Sequence, residues 1–116
     1  MATGYSGPKN KTSPLSRINE QTGDYTLVLL DDGALVDMNS ASALTVTIPT
    51  NASVSFRIGA QVLIRQKGAG AVTVEAAAGV TLDLVESEAT TSAQNAVLAL
   101  LYIATNTWLL AGRSTA

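Results

Sequence analysis

Apolar and polar residues alternate in short runs between positions 44 and 84 of the chain. In the first run, Leu44, Val46 and Ile48 are apolar, whereas Thr45 and Thr47 between them are polar. A period of two places successive side chains on opposite faces of a sheet, so each run can bury one face. Similar runs follow at 62–64, 72–74 and 80–84, separated by residues that favour turns, such as proline and glycine. The pattern predicts short β-strands joined by tight connections.

The same pattern extends over most of the chain. Strands are predicted at residues 25–30, 34–38, 44–48, 60–66, 71–75, 80–85, 96–105 and 108–112. The Asp32-Gly33 pair and the turn at 67–70 each lie between two apolar runs, which is typical of hairpins. We therefore predict an all-β fold, a small antiparallel β-sandwich or barrel of about eight strands. The predicted organisation is an extended N-terminal arm at 1–23, a β-domain at 24–113 and a tail at 114–116.

Two segments are open to more than one interpretation. Residues 92–104 contain alanine and leucine at positions that would also form a helical face, but a short apolar run follows directly and favours a buried strand. Residues 50–59 contain Val54, Phe56 and Ile58 in alternation, which fits either a short edge strand or a loop packed on the core.

Composition narrows the kind of core and the kinds of partner. Hydrophobic residues make up 47% of the 116 positions but aromatic residues only 4%, so the core must consist mainly of small aliphatic side chains. Such a core buries little area per residue, which favours additional subunit contacts. The net charge of −2 gives no reason to expect nucleic acid or a membrane surface as a partner. Cysteine and histidine are absent from the sequence.

The N-terminal arm differs from the rest in charge. Lys9, Lys11 and Arg17 lie in the first 19 residues with no acidic residue among them, whereas acidic residues outnumber basic ones by 9 to 4 afterwards. Few apolar residues occur in this segment, so it cannot order itself by burial. We expect it to dock on a partner. The candidate partner-binding residues are Tyr5, Lys9, Lys11, Leu15, Arg17 and Ile18.

Candidate chemistry elsewhere in the chain is sparse. The Lys67-Gly68-Ala69-Gly70 segment lacks the Gly-Lys-Ser/Thr ending of a phosphate-binding loop and is interpreted as a turn. Asp31, Asp32 and Asp37 could offer oxygens to calcium, but adjacent aspartates are commoner as turn formers; Glu86 and Glu88 are interpreted in the same way. Trp108 and Tyr102 could stack on a sugar, although a core role is favoured. We predict no enzymatic activity, no cofactor and no metal.

From residue 25 to residue 112 the chain resembles a small β-domain found in structural proteins of tailed bacteriophages. The resemblance depends mainly on turn glycines and alternating apolar positions. It is carried by Tyr25, Asp31, Gly33, Met38, Ile48, Pro49, Gly59, Gln66, Gly68, Gly70, Val72, Gly79, Val80, Trp108 and Gly112. The resemblance implies a non-enzymatic virion component, found in tail fibres, baseplates or head decoration proteins and usually assembled as a homotrimer.

The short arm before this domain favours one member of that group. We expect a capsid decoration (cement) protein that is made in the host cytoplasm, binds the major capsid protein through its arm and remains on the capsid surface of the virion. The alternative is a tail-fibre or baseplate domain that binds a receptor or glycan, with loops 51–56 or 86–95 as its binding site. Neither hypothesis includes nucleic acid or a membrane as partner.

Overall fold

The computed structural model describes residues 17–84 and 89–114. These residues form nine strands and one short 3₁₀ helix at Leu29–Asp31. The strands are β1 Arg17–Gln21, β2 Tyr25–Thr26, β3 Ala34–Met38, β4 Leu44–Ile48, β5 Gln61–Gln66, β6 Val72–Ala76, β7 Thr81–Leu84, β8 Val97–Ala104 and β9 Thr107–Gly112. The all-β prediction is confirmed, and the helical alternative for residues 92–104 is wrong.

The strands form two sheets, and the chain passes from one sheet to the other after each of the first six. One sheet has the order β1-β3-β5-β8-β9-β7, and the other has the order β2-β4-β6. Neighbouring strands among β1 to β6 are parallel. Each pair of consecutive strands is thus one coil, and the coils stack as in a parallel β-helix.

This topology corrects the predicted antiparallel arrangement. Of the seven strand pairs in the described residues, five are parallel and two, β5–β8 and β8–β9, are antiparallel. The predicted hairpin across Asp32-Gly33 is wrong, because β2 pairs with β4 and β3 pairs with β1 and β5. The predicted hairpin across residues 67–70 is wrong for the same reason, since β5 and β6 belong to different sheets.

The second and third coils stack in strict register. Ala34 pairs with Val62 and Leu44 with Val72, so both sheets keep the same offset of 28 positions. The corners between the strands follow this offset as well. A Cβ at Gly68 would lie 2.3 Å from the Ser40 carbonyl oxygen, and one at Gly70 would lie 2.0 Å from that of Ser42. Glycine is therefore required where one corner lies directly on the next.

A hairpin completes the larger sheet. Strands β8 and β9 pair antiparallel around a turn at Thr105 and Asn106, and this hairpin lies between β5 and β7. Asn106 has a φ of 55°, a left-handed conformation that asparagine tolerates better than most residues. The hairpin occupies the place at which a regular coil stack would have put β7 directly beside β5.

The core lies between the two sheets and is aliphatic apart from a few aromatic rings. The core side chains come from the alternating positions of the strands, because every second side chain points towards the space between the sheets. Residues 50–60 form a loop packed on this core, with Phe56 buried and Ile58 exposed. The buried core residues are Leu27, Val36, Met38, Leu44, Val46, Ile48, Phe56, Ala60, Val62, Ile64, Val72, Val74, Leu98, Leu100, Tyr102, Trp108 and Leu110.

Candidate interaction surfaces

A buried carboxylate organises the first coil. Asp31 is fully buried, and its two oxygens accept four hydrogen bonds. Its partners are Arg17 Nη2 at 2.9 Å, Asn19 Nδ2 at 3.0 Å, the Tyr25 hydroxyl at 2.7 Å and the Val28 backbone N–H at 2.9 Å. Burial and then the Asp31 carboxylate raise the pKa of the Tyr25 hydroxyl. Because every lone pair of the carboxylate faces a donor, this aspartate has a structural role.

The same network presents three apolar side chains to solvent. Val28, Leu29 and Leu30 connect β2 to β3 and are 43%, 56% and 73% exposed. We call these three residues the apolar corner. Arg17 lies beside it, since its Nε is 3.4 Å from the Leu30 carbonyl oxygen. Consecutive exposed aliphatic residues in a well-ordered turn are typical of a contact site.

At the end of the stack formed by the first coil, the side chains that face the core are polar. Arg17, Asn19 and Gln21 occupy the half-buried positions of β1, and Tyr25 occupies that of β2. Asn19 donates to the Tyr25 hydroxyl at 2.8 Å and accepts from Gln21 at 2.8 Å. A polar last layer is what terminal repeats of solenoid proteins use to stop further stacking. The polar layer therefore closes the described stack of coils at this end.

The six-stranded sheet carries a second apolar surface on the side away from the core. The register places outward-facing residues of neighbouring strands in rows: Ile18 beside Leu35, Leu35 beside Leu63, and Leu63 beside Ala99. The adjoining row places Leu101 beside Leu109, with the polar Gln61 and Asp83 at its two ends. We call this surface the outer face. A shallow groove runs along it, lined in part by Leu63, Leu101 and Leu109.

Paired charges border the outer face. Asp37 and Arg65 are register partners and form a bidentate ion pair with distances of 2.6 and 2.7 Å. Lys67 Nζ lies 2.9 Å from a Glu20 oxygen. The hydrogen bond to Asp37 raises the pKa of the Arg65 guanidinium, and the hydrogen bond from Lys67 lowers the pKa of Glu20. The border therefore contains both signs of charge in neutral pairs.

The candidate arm residues fall in two groups. Tyr5, Lys9, Lys11 and Leu15 lie outside the described residues. Arg17 and Ile18 belong to β1, so the last part of the predicted arm is an edge strand of the β-domain. Arg17 pairs with Asp31 within the chain, and Ile18 is 69% exposed at the edge of the outer face. At the other end, Ser114 forms a bridge with Thr91.

The aromatic residues form part of the core. Trp108 is 1% exposed, and its ring centroid is 5.1 Å from that of Phe56 and 4.7 Å from that of Tyr102. The predicted core role of Trp108 is confirmed. The sugar-stacking alternative for Trp108 and Tyr102 is wrong, because neither ring face is accessible.

The loops of the glycan-binding alternative each contain residues bonded within the chain and residues that are exposed, the latter including Ala52, Ser53 and residues 92–95. Asn51 donates its backbone N–H to Asn106 Oδ1 at 2.8 Å and accepts from the Tyr102 hydroxyl at 3.2 Å. Thr91 is buried, and its hydroxyl accepts from the Val72 N–H and donates to Gln66. Glu86 and Glu88 lie outside the described residues. Asn51 and Thr91 therefore hold elements of the fold together, whereas other residues of the two loops remain exposed.

The remaining candidate sites have structural roles in the described residues. Asp32 accepts from Arg57 Nε at 2.8 Å, and residues 67–70 form the glycine corner described above. Residues 17–84 and 89–114 contain no cluster of three or more side chains suited to a metal ion. Within the same residues, no helix has the length and apolar character that a membrane crossing requires.

Comparisons with protein-family models, with curated proteins and with solved structures found no match.

Neither apolar surface is evident from the sequence pattern. Leu63 lies within the run Val62-Leu63-Ile64, which is apolar on both faces of the strand. This unbroken apolar run is the sequence feature that indicates an apolar outward position. Leu29 and Leu30 were assigned to a strand that ends at Thr26 in the structure. Their exposure depends on the 3₁₀ turn around Asp31, which the sequence pattern alone does not reveal.

Proposed function

We propose that the protein is a non-enzymatic structural component of a tailed-bacteriophage virion, a decoration protein that binds the head shell. The proposal combines the resemblance described above with the position of the apolar corner. Residues 1–16 supply Tyr5, Lys9, Lys11 and Leu15, and the corner supplies an ordered apolar surface beside Arg17, where that segment joins the described body.

The observation that carries the proposal is the exposure of the apolar corner. Leu30 is 73% exposed although the network around Asp31 fixes the backbone next to it. Burying an exposed leucine on a partner contributes about 1.5–3 kcal/mol. A preordered corner adds this free energy without the entropic cost of ordering a loop, which is about 1–2 kcal/mol per residue. It can therefore supply part of the free energy that a long arm loses when it becomes ordered on the shell.

Binding to the shell combines burial of apolar side chains with attraction between opposite charges. The basic residues Lys9 and Lys11 face acidic shell surface, and the apolar side chains of the segment and corner face apolar pockets of the major capsid protein. An extended segment can also add to an exposed sheet edge of the partner. Arg17 does not contribute to the attraction between the basic residues and the shell, because its guanidinium pairs with Asp31. Several copies on one shell increase the effective concentration of each contact.

A truncation and a point variant test the proposal. Deleting residues 1–16 should abolish binding to heads that lack the protein, while the far-ultraviolet circular dichroism of the β-domain is retained. The deletion stops before Arg17 so that the ion pair with Asp31 survives. Leu30→Ser should weaken head binding by about 10-fold or more. Ile58→Ser is the matched control, because Ile58 is 58% exposed but lies in another loop.

Binding is measured by co-sedimentation of the purified protein with heads. Full binding by the truncated protein would contradict the proposal. Equal losses for Leu30→Ser and Ile58→Ser would show that the corner is not a specific contact. Binding to host cells, with none to heads, would instead support the receptor-binding alternative.

A further inference from the structure

Strand β1 has one side without a neighbouring strand in the described residues. It is the first strand of the six-stranded sheet and there pairs with β3 alone, in register from Arg17 to Gln21. Asn39 donates its N–H to the Gln21 carbonyl oxygen, so the backbone groups of Gln21 face β3. Backbone groups point to alternate sides along a strand, so those of Ile18 and Glu20 point away from β3. We call this side of β1 the open edge.

Contacts within the chain hold β1 in an extended shape. The side chains of Arg17 and Asn19 both donate to Asp31, at 2.9 and 3.0 Å. On the other face of the strand, Lys67 Nζ lies 2.9 Å from a Glu20 oxygen. A partner therefore need not supply the free energy that ordering this strand would cost.

The open edge lacks the features that usually prevent strand pairing. Proteins commonly protect an exposed edge with proline, lysine or a bulge. The β1 sequence Arg-Ile-Asn-Glu-Gln contains neither proline nor lysine, and its register with β3 has no shift. The outer strand of the smaller sheet, β6, differs, because Val74 donates its N–H to the Ala89 carbonyl oxygen. An unprotected edge can accept an extended strand from another protein.

We infer that the open edge accepts an extended strand of the major capsid protein, which joins the six-stranded sheet beside β1. The inference rests on the proposed function and identifies the kind of shell segment that the protein binds.

The position of the open edge favours the shell protein as the source of this strand. Arg17 begins β1, and its Nε lies 3.4 Å from the Leu30 carbonyl oxygen, so the edge adjoins the apolar corner. Residues 1–16 join the described body at the same point. A shell surface that contacts both the corner and this segment therefore meets the open edge as well.

The side chains of β1 define the strand that fits beside them. On the core side, Asn19 and Gln21 present amides, so the added strand needs polar side chains there. On the outer side, Ile18 is 69% exposed and favours an aliphatic neighbour. The Glu20 carboxylate already pairs with Lys67 and needs no basic neighbour. We expect an uncharged strand with polar residues on one face and an aliphatic residue on the other.

Two variants at one position test the inference. Glu20→Pro removes the outward N–H and puts a ring in its place, whereas Glu20→Ala removes the same carboxylate and keeps the N–H. An edge strand tolerates proline where the nitrogen faces away from its neighbour, so both variants should keep the circular dichroism of the wild type. In co-sedimentation with heads, Glu20→Pro should bind at least about 10-fold more weakly than Glu20→Ala, because a carbonyl of the added strand loses its donor. Equal binding by the two folded variants would overturn the inference.

Hydrogen exchange of the wild-type protein, read by residue-resolved mass spectrometry, does not depend on the folding of a variant. In the free protein the amides of Ile18 and Glu20 should exchange fast, and those of Asn19 and Gln21, which face β3, should exchange slowly. Binding to heads should slow exchange at Ile18 and Glu20 by at least about 10-fold. Fast exchange on heads, or slow exchange already in the free protein, would overturn the inference and leave the shell contact standing. A wild-type protein that does not bind heads would overturn the proposed function and this inference together.

Discussion

Replacing Asp31 by asparagine is the sharpest test of how the first coil is held. The carboxylate accepts four hydrogen bonds, two at each oxygen, and is fully buried. Asp31→Asn keeps one oxygen and replaces the other by an amide that donates. Two of the four donors then lose their acceptor, either the pair from Arg17 and Asn19 or the pair from Tyr25 and Val28.

The expected loss of stability follows from these two donors. A buried donor without an acceptor costs about 1–3 kcal/mol. The guanidinium of Arg17 is 35% exposed and can turn partly to water, which keeps the total towards the lower end. We expect the free energy of unfolding to fall by about 2–3 kcal/mol, which corresponds to a decrease in Tm of roughly 10–15 °C for a domain of this size.

Asp32→Asn is the matched control because it makes the same chemical change one residue later. Asp32 pairs with Arg57, whose side chain is 68% exposed, and such surface pairs contribute about 0–1 kcal/mol. Both variants are unfolded in urea at a protein concentration low enough to keep the chain monomeric, and the transitions are followed by circular dichroism. A loss for Asp31→Asn within about 0.5 kcal/mol of that for Asp32→Asn would refute the structural role of Asp31.

Two further predictions concern the corners and the pH dependence of stability. Gly70→Ala should destabilise the fold by about 1–3 kcal/mol, because its Cβ would lie 2.0 Å from the Ser42 carbonyl oxygen. Gly23→Ala, with no atom within 4 Å of its Cβ, should stay within about 0.5 kcal/mol of the wild type, and similar losses for both would contradict the stacked corners. The pKa of the Tyr25 hydroxyl is higher in the folded state than in the unfolded chain, where it is about 10. The free energy of unfolding should therefore fall as the pH rises from about 10 through the pKa of the folded state. Tyr25→Phe should remove this dependence in urea titrations at increasing pH, and an unchanged slope would assign it to other groups.

The sequence allowed the strands to be predicted more reliably than their partners. The alternation at Leu44, Val46 and Ile48 predicts a strand because it depends only on neighbouring residues, and β4 lies where it was predicted. Pairing depends on residues far along the chain. Leu44 pairs with Val72, and no local pattern contains that information.

The Asp32-Gly33 pair shows why the connections were misinterpreted. Gly33 has a φ of 83°, as a hairpin glycine can have, but its N–H donates to the Gln61 carbonyl oxygen in the next coil. A turn from one sheet to the other needs the same residue types as a turn within one sheet. The sequence pattern cannot distinguish them, so the prediction of antiparallel strands followed from the commoner case.

The candidate site was predictable only in part, because exposure depends on tertiary context. Arg17 was predicted to meet a partner from its charge alone, but the fold brings Asp31 to within 2.9 Å of it. Leu35 and Leu63 are separated by 28 positions and form one apolar row only when their strands align. The apolar surfaces of this protein arise from register, which the linear sequence does not display.

The most direct test of the proposed function is a cryo-electron microscopy map of the virion whose genome encodes this chain. We expect a two-sheet stack of coils on the head shell, with the apolar corner of Val28, Leu29 and Leu30 facing the major capsid protein. Density for the domain at a tail tip, or its absence from the particle, would contradict it.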